Sequence, residues 1–318
     1  MKSLFKKVFL TLLFLSLFAL ILSRPQVSLL YAATGLKLWF DRMVPTLFPF
    51  MILSTLTIRQ NLTEAFSDFL YPIFGKLYRI SKNGVYCLML GFLCGFPMGA
   101  RTIGEMYGQK KISRREAAFL LAFCNNIGPV YYISFFLPVT GLTSLSDMPF
   151  LLFGMYGIPL LYGLLIRYTG LFLPKKETDA DTLINFSKKN HESFQDSLDH
   201  AMESAIAGIT TLGGYMILCN LLNLYPYIFC ELFSIEQNTF FMAFSNCLFE
   251  ITGGLSLMGQ TAPFCSLLLL PIGGLSCLAQ TKSMIKNTDL SMITYLLHKV
   301  VQTLLTAGYY FLLRFFLL

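Results

Sequence analysis

Arg101 and Glu105 stand four residues apart inside an otherwise apolar stretch, GFLCGFPMGARTIGEMYG, residues 91–108. A charge at mid-bilayer costs about 2.5–3.5 kcal/mol on insertion scales, so it is kept for pairing or for function. Helical i, i+4 spacing lets Glu105 pair with Arg101. A guanidinium facing a cavity would instead grip an anionic solute through two parallel hydrogen bonds. A second group, AFCNNIGPVYY over residues 122–132, sets Asn125 and Asn126 ahead of Gly128 and Pro129. Such a break frees carbonyls and supplies amides, which suits an uncharged or anionic ligand, or a cation held by backbone oxygens. The alternative is a kinked helix whose asparagines satisfy the freed backbone. Toward the C-terminus, GLSCLAQT (274–281) offers Gln280 and Thr281, and LLHKVVQT carries Lys299 and Gln302. Lys299 would pair with Glu250 or line a cavity. The expected substrate-binding residues are Gly95, Pro97, Gly99, Arg101, Thr102, Asn125, Asn126, Gly128, Gln280 and Thr281. Glu105, Glu250 and Lys299 are expected in structural or pairing roles.

These residues are embedded in a chain of 318 residues that is 55% hydrophobic and 13% charged, with a mean hydropathy of +0.63. A soluble domain is nearer a quarter charged, so the chain reads as a polytopic membrane protein whose first partner is the lipid bilayer. The formal charge of +7 sits in short clusters beside apolar segments, as membrane orientation requires, and argues against nucleic acid. The eight cysteines form no CxxC pair, so neither a zinc site nor a disulfide framework is expected. Lys2, Lys6 and Lys7 precede an apolar run, and without a convincing small-x-small cleavage site an uncleaved anchor is favoured.

A crossing needs about 20 helical residues. Apolar segments occur at 8–22, 27–58, 84–107, 117–138, 148–172, 205–229, 240–284 in two pieces, and 290–316. Gly95, Pro97 and Gly99 interrupt the third, which predicts a re-entrant hairpin over 84–107. The spacing of Gly91, Gly95 and Gly99 would also suit a helix face packed closely on another. With the hairpin, the basic clusters near 2–7, 59–82, 108–116 and 167–189, together with Arg314, share the cytoplasmic side. Arg24, Lys37, Arg42, Lys282 and Lys286 face the other.

TLFPFMILSTL (46–56) aligns with TLGGYMILCNL (211–221) at six of eleven positions, and GFPMGART (95–102) follows in the same order as GLSCLAQT. The two halves, placed oppositely in the membrane, would be inverted copies, a sequence pointer to a secondary transporter. The expected fold is an all-α polytopic membrane protein, an inverted repeat with re-entrant helical hairpins. Its parts are a signal-anchor helix (1–26), a first repeat (27–138), a connecting span and cytoplasmic loop (139–204) and a second repeat (205–318) with hairpin 240–284.

No GxxxxGK[ST] loop, metal spacing or Ser/His/Asp constellation occurs, so no nucleotide hydrolysis, metal site or enzymatic activity is expected. The expected activity is alternating-access transport of a small anionic solute. A nucleoside carrier and a non-transporting scaffold are the rivals. The coupling ion, Na+ or H+, and a homo-oligomeric state are left open.

The stretches GLKLWFDRMVPTLFPFMILS (35–54), GFLCGFPMGARTIGEMY (91–107), FCNNIGP (123–129) and EITGG (250–254) resemble the nucleoside recognition, or Gate, family, most closely its sporulation integral membrane YlbJ branch. The resemblance implies a multi-pass protein of a bacterial membrane, related in fold to concentrative nucleoside transporters; with the charge pattern above, it is expected in the cytoplasmic membrane with its N-terminus in the cytoplasm. It also implies a location in the outer forespore membrane and dipicolinate, a small aromatic dicarboxylate, as the solute moved.

Overall fold

The structure is a computed structural model describing residues 2–170, 193–236 and 240–317. The polar loop expected at 175–189 lies outside the described residues. Among these residues every regular element is helical. The longer ones, in chain order, are α1 (Lys2–Ser23), α2 (Pro25–Leu38), α3 (Val44–Arg59), α4 (Lys82–Leu93), α5 (Met98–Gly108), α6 (Arg114–Leu121), α7 (Pro129–Thr140) and α8 (Met148–Thr169). There follow α9 (Phe194–Leu221), α10 (Leu224–Leu232), α11 (Phe240–Phe249), α12 (Ile251–Met258), α13 (Pro263–Leu269), α14 (Gly274–Met284) and α15 (Met292–Leu317).

Among the described residues, four stretches are long and apolar enough to cross a membrane: Leu4–Ser23, Met148–Thr169, Phe194–Leu232 and Pro263–Met284. Large apolar side chains such as Phe5, Leu12, Phe18, Leu161 and Leu304 stay exposed, as they would in a solvent of lipid tails. The chain is an all-helical membrane protein.

Prolines shape the long helices. Pro45, Pro138 and Pro159 each follow a π-helical turn, at Trp39–Met43, Tyr132–Phe136 and Phe153–Gly157. A proline ring removes a donor and crowds the carbonyl one turn back, and widening the preceding turn to i→i+5 relieves that crowding.

Two pairs of helices fold back on themselves. α4 and α5 are joined by residues 94–97, with Gly95 at φ 83°. Their open ends meet where Asn83 Nδ2 donates to the Lys111 carbonyl at 3.2 Å. α11 and α12 turn at Glu250, and Gly254 lies directly on the Cys247 backbone. Two further segments are broken without reversing. α6 and α7 are separated by the non-helical residues 122–128, and α13 and α14 by 270–273, where Gly273 has φ 76°.

The charge pattern predicts Lys282 and Lys286 opposite the basic loops and Arg314 among them, and the structure reverses this arrangement. Instead Tyr107 donates to Asp289 at 2.7 Å and Arg114 pairs with Asp289 at 2.6 Å, so residues 285–291 join the 108–114 end. At the far end the Tyr309 and Tyr310 hydroxyls donate to the Phe150 and Leu151 carbonyls, and Arg314 lies 4.8 Å from the Phe264 ring. The physical reason is that the fold-back closes at Met258. Residues 263–284, long and apolar enough to cross a membrane, then continue past it toward the 108–114 end, where the sequence pattern implied a hairpin tip.

Candidate functional site

A cavity of about 260 Å³ lies where the tips of both fold-back pairs meet the α6–α7 break and the side of α14. Arg42, Phe96, Gly128, Tyr131, Glu250 and Gln280 are among its walls. Each is delivered by an irregularity of the backbone or by an element beside one. Arg42 and its neighbour Asp41, which also lines the cavity, sit on the π-helical turn ahead of Pro45. Phe96 belongs to the α4–α5 turn and Gly128 ends the α6–α7 break. Glu250 caps α12, its carboxylate accepting from the Thr252 and Gly253 amides at 3.2 and 2.7 Å. This is the usual satisfaction of orphan N–H groups at a helix start, with the acid also favoured by the helix dipole. The Tyr131 hydroxyl donates to Thr252 Oγ1 at 3.2 Å, tying α7 to that tip.

Beside the cavity lies a buried polar cluster. Asn125 Oδ1 accepts from the Ala100 amide at 3.2 Å, and its Nδ2 donates to Thr281 Oγ1 at 2.9 Å and Tyr295 Oη at 3.1 Å. Asn126 Nδ2 donates to the Phe123 carbonyl at 2.6 Å, so its Oδ1 faces Lys299 and Gln302. The Lys299 ammonium donates to Asn125 O (2.9 Å), Asn126 Oδ1 (3.0 Å) and Gln302 Oε1 (3.1 Å). Lys299 therefore holds the break and does not pair with Glu250.

Arg101 lies apart from the cavity walls, in the seam of α5 with α3 and α9. Its Nη2 donates to Thr55 Oγ1 at 3.2 Å and Ser204 Oγ at 2.9 Å, and its Nη1 to the Ser204 carbonyl at 3.3 Å. The Thr55 hydroxyl donates onward to Glu105 Oε2 at 3.1 Å, so Arg101 and Glu105 are linked through Thr55. Gly208 leaves room for the guanidinium, since a Cβ there would stand 2.5 Å from Nη1.

Of the residues expected from sequence, Gly128, Gln280 and Glu250 line the cavity, and Asn125, Asn126, Thr281 and Lys299 form the adjoining cluster. Gly95 and Gly99 serve close backbone approach: a Cβ would stand 2.7 Å from the Gly128 Cα at Gly95, and 2.7 Å from the Cys124 carbonyl oxygen at Gly99. Gly91 meets the same Cys124 carbonyl. The three glycines thus pack against the 124–128 break. Pro97 follows a cis peptide and is buried, as is Thr102, whose hydroxyl has no partner among the described residues. Sequence reasoning missed Asp41, Arg42, Tyr131 and Thr252. The available signal was a charged pair shortly before Pro45 in an apolar run, of which the charge pattern assigns Arg42 to the outer face.

Outside the spans, Asp289 is held below the ordinary aspartate value by the Tyr107 hydrogen bond and by Arg114 beside it. Lys82 is raised by its contact with Asp68, 2.6 Å away. Among the described residues no group of three or more His, Cys, Asp or Glu could hold a metal.

No protein-family model matches the chain, and no solved structure matches it. The chain is similar to the sporulation integral membrane protein YlbJ of Bacillus subtilis (strain 168), with 26% identity over 333 aligned positions, 94% of this chain and 81% of that one.

Proposed function

We propose that the protein is a membrane transporter of a small anionic solute, working by alternating access between two inverted halves, with the cavity between the hairpin tips as its solute site. The observation that carries this reading is the convergence of two fold-back tips and two broken helices on one cavity bearing an arginine. Broken elements in corresponding order, with half-helix ends aimed at a central site, are the architecture of secondary transporters. The order long helix, fold-back pair, broken helix occurs twice, as α2–α3, α4/α5, α6/α7 and as α9–α10, α11/α12, α13/α14. That order matches the 94–97 turn with Glu250 and the 122–128 break with 270–273, a different pairing from the one suggested by GFPMGART. The basic end, with residues 108–115 and 282–286, is assigned to the cytoplasm by the positive-inside rule.

In this reading Arg42 is the anion partner, Gln280 and Tyr131 orient the solute, and Arg101 anchors the hairpin. The resemblance to the Gate family and the YlbJ relative makes dipicolinate during sporulation the solute to try first. A nucleoside-like solute is the second reading, favoured by the carboxylates Asp41 and Glu250 in the same walls, which would accept hydrogen bonds from hydroxyls.

Calorimetric titration of the purified protein with dipicolinate and with uridine tests both. Loss of a charge-assisted pair costs about 1.5–3 kcal/mol, so Arg42→Gln should weaken dipicolinate binding roughly 10- to 100-fold. Arg101→Gln should leave the affinity of the folded fraction unchanged. Uridine binding alone would select the second reading. Binding of neither would leave a scaffold for spore maturation.

A further inference from the structure

The polar cluster beside the cavity contains a feature the transport reading does not use. The Lys299 ammonium has three N–H donors, and three oxygens receive them: Asn125 O, Asn126 Oδ1 and Gln302 Oε1 at 2.9, 3.0 and 3.1 Å. The Phe96 ring covers the remaining side, its centroid 4.6 Å from Nζ. Lys299 is 2% exposed, and among the described residues no carboxylate lies within ion-pair distance of it. A buried charge with no acid must be stabilised by dipoles.

The source of those dipoles is the break itself. Asn125 follows the C-terminal end of α6, where helix carbonyls carry partial negative charge, and residues 122–128 leave carbonyls without helical partners. The amide oxygens are fixed toward Nζ by their other bonds. Asn126 Nδ2 is held by the Phe123 carbonyl, and Gln302 Nε2 donates to Asn126 Oδ1 at 2.9 Å. A cage of neutral carbonyl oxygens at an unwound helix, closed on one side by an aromatic face, is the donor set that holds Na+ or K+ in membrane proteins.

We propose that Lys299 is a resident cation, its tethered ammonium filling a monovalent-cation site formed by Asn125, Asn126 and Gln302. The functional meaning rests on the transporter reading: the charge that other carriers import with the solute is covalently supplied here, so the solute site is assembled without Na+ or K+. Phe96 connects the two places, since its ring faces Lys299 and also lines the cavity. Movement of the α4–α5 tip would therefore be felt at the ammonium.

The test uses purified full-length protein in detergent, with no solute present, comparing thermal unfolding in NaCl, KCl and choline chloride at equal ionic strength. Wild type should unfold at the same Tm in all three salts. Lys299→Ala empties the cage, so its Tm in choline should fall and then rise saturably with added Na+ or K+, following the logarithm of cation concentration above Kd. Lys299→Met refills the space without charge and should show the loss without the rescue. Selective stabilisation of wild type by Na+ or K+ would overturn the proposal. So would a Lys299→Ala protein that responds to cations no more than Lys299→Met, or one that yields no folded protein in any salt. Solute titration in the same preparations keeps the two questions apart, because a wild type that binds no solute removes the transport reading and leaves the cation result standing.

Discussion

Gly95→Ala is the sharpest probe of the architecture, because one added methyl must meet two separate obstacles. Gly95 has φ 83°, where an L side chain costs about 1–2 kcal/mol. Its new Cβ would stand 2.7 Å from the Gly128 Cα, well inside the ordinary 3.4–4 Å contact range, and would press on the Gly128 amide as well. The obstacle is backbone on both sides, so no side chain can rotate away. Overpacking of this kind costs about 1–3 kcal/mol, giving about 2–5 kcal/mol in total. At roughly 2 °C per kcal/mol for a chain of this size, the Tm should fall by about 4–10 °C. The free and buried cysteines Cys87, Cys124, Cys219, Cys230, Cys247 and Cys277 supply the readout, through a thiol-reactive fluorophore that reports their exposure on heating. Gly108→Ala is the control, since nothing lies within 4 Å of a Cβ there. If Gly95→Ala unfolds within error of Gly108→Ala, the close approach of the 94–97 turn to the 122–128 break is wrong, and the cavity built on it falls too.

The other predictions concern the seam and the basic end. Thr55→Val removes the hydroxyl between Arg101 and Glu105, leaving the buried guanidinium and the half-buried carboxylate each short of a partner, and should cost about 1–3 kcal/mol, whereas Thr55→Ser should retain most of the stability. Equal Tm values for the two variants would refute the relay. Asp289 titrates below its ordinary value, so its contribution is present above about pH 4 and is lost as pH falls through the lower folded value. The pair is largely exposed, so Asp289→Asn should cost less than about 1 kcal/mol at pH 7 and flatten the acid limb of the Tm–pH curve. An unchanged acid limb would mean that Tyr107 and Arg114 do not hold this loop. The Arg42→Gln and Lys299→Ala experiments complete the set, one addressing the solute and the other the cage beside it.

Much of this protein was legible along the chain because its signals are local. Apolar runs longer than a bilayer core announce membrane helices, and Gly95, Pro97, Gly128 and Pro129 mark where those helices cannot continue, since glycine and proline act on their own backbone and need no partner. The asparagines at 125 and 126 were conspicuous for the same reason, being amides where a helix must open. What only the tertiary structure decided was which of these local features meet. Arg101, the most prominent charge in the sequence, is drawn into a seam by Thr55 and Ser204, while Arg42 lines the cavity from the π-helical turn ahead of Pro45. Lys299 finds Asn125 and Asn126 more than 170 residues away in the chain. The side on which residues 285–291 lie turned on whether the chain reverses at Glu250 or at Gly273. Both sites break a helix, and hydropathy scores them alike. The choice is made by Gly254 packing on the Cys247 backbone, a contact between two arms that no single stretch of sequence contains.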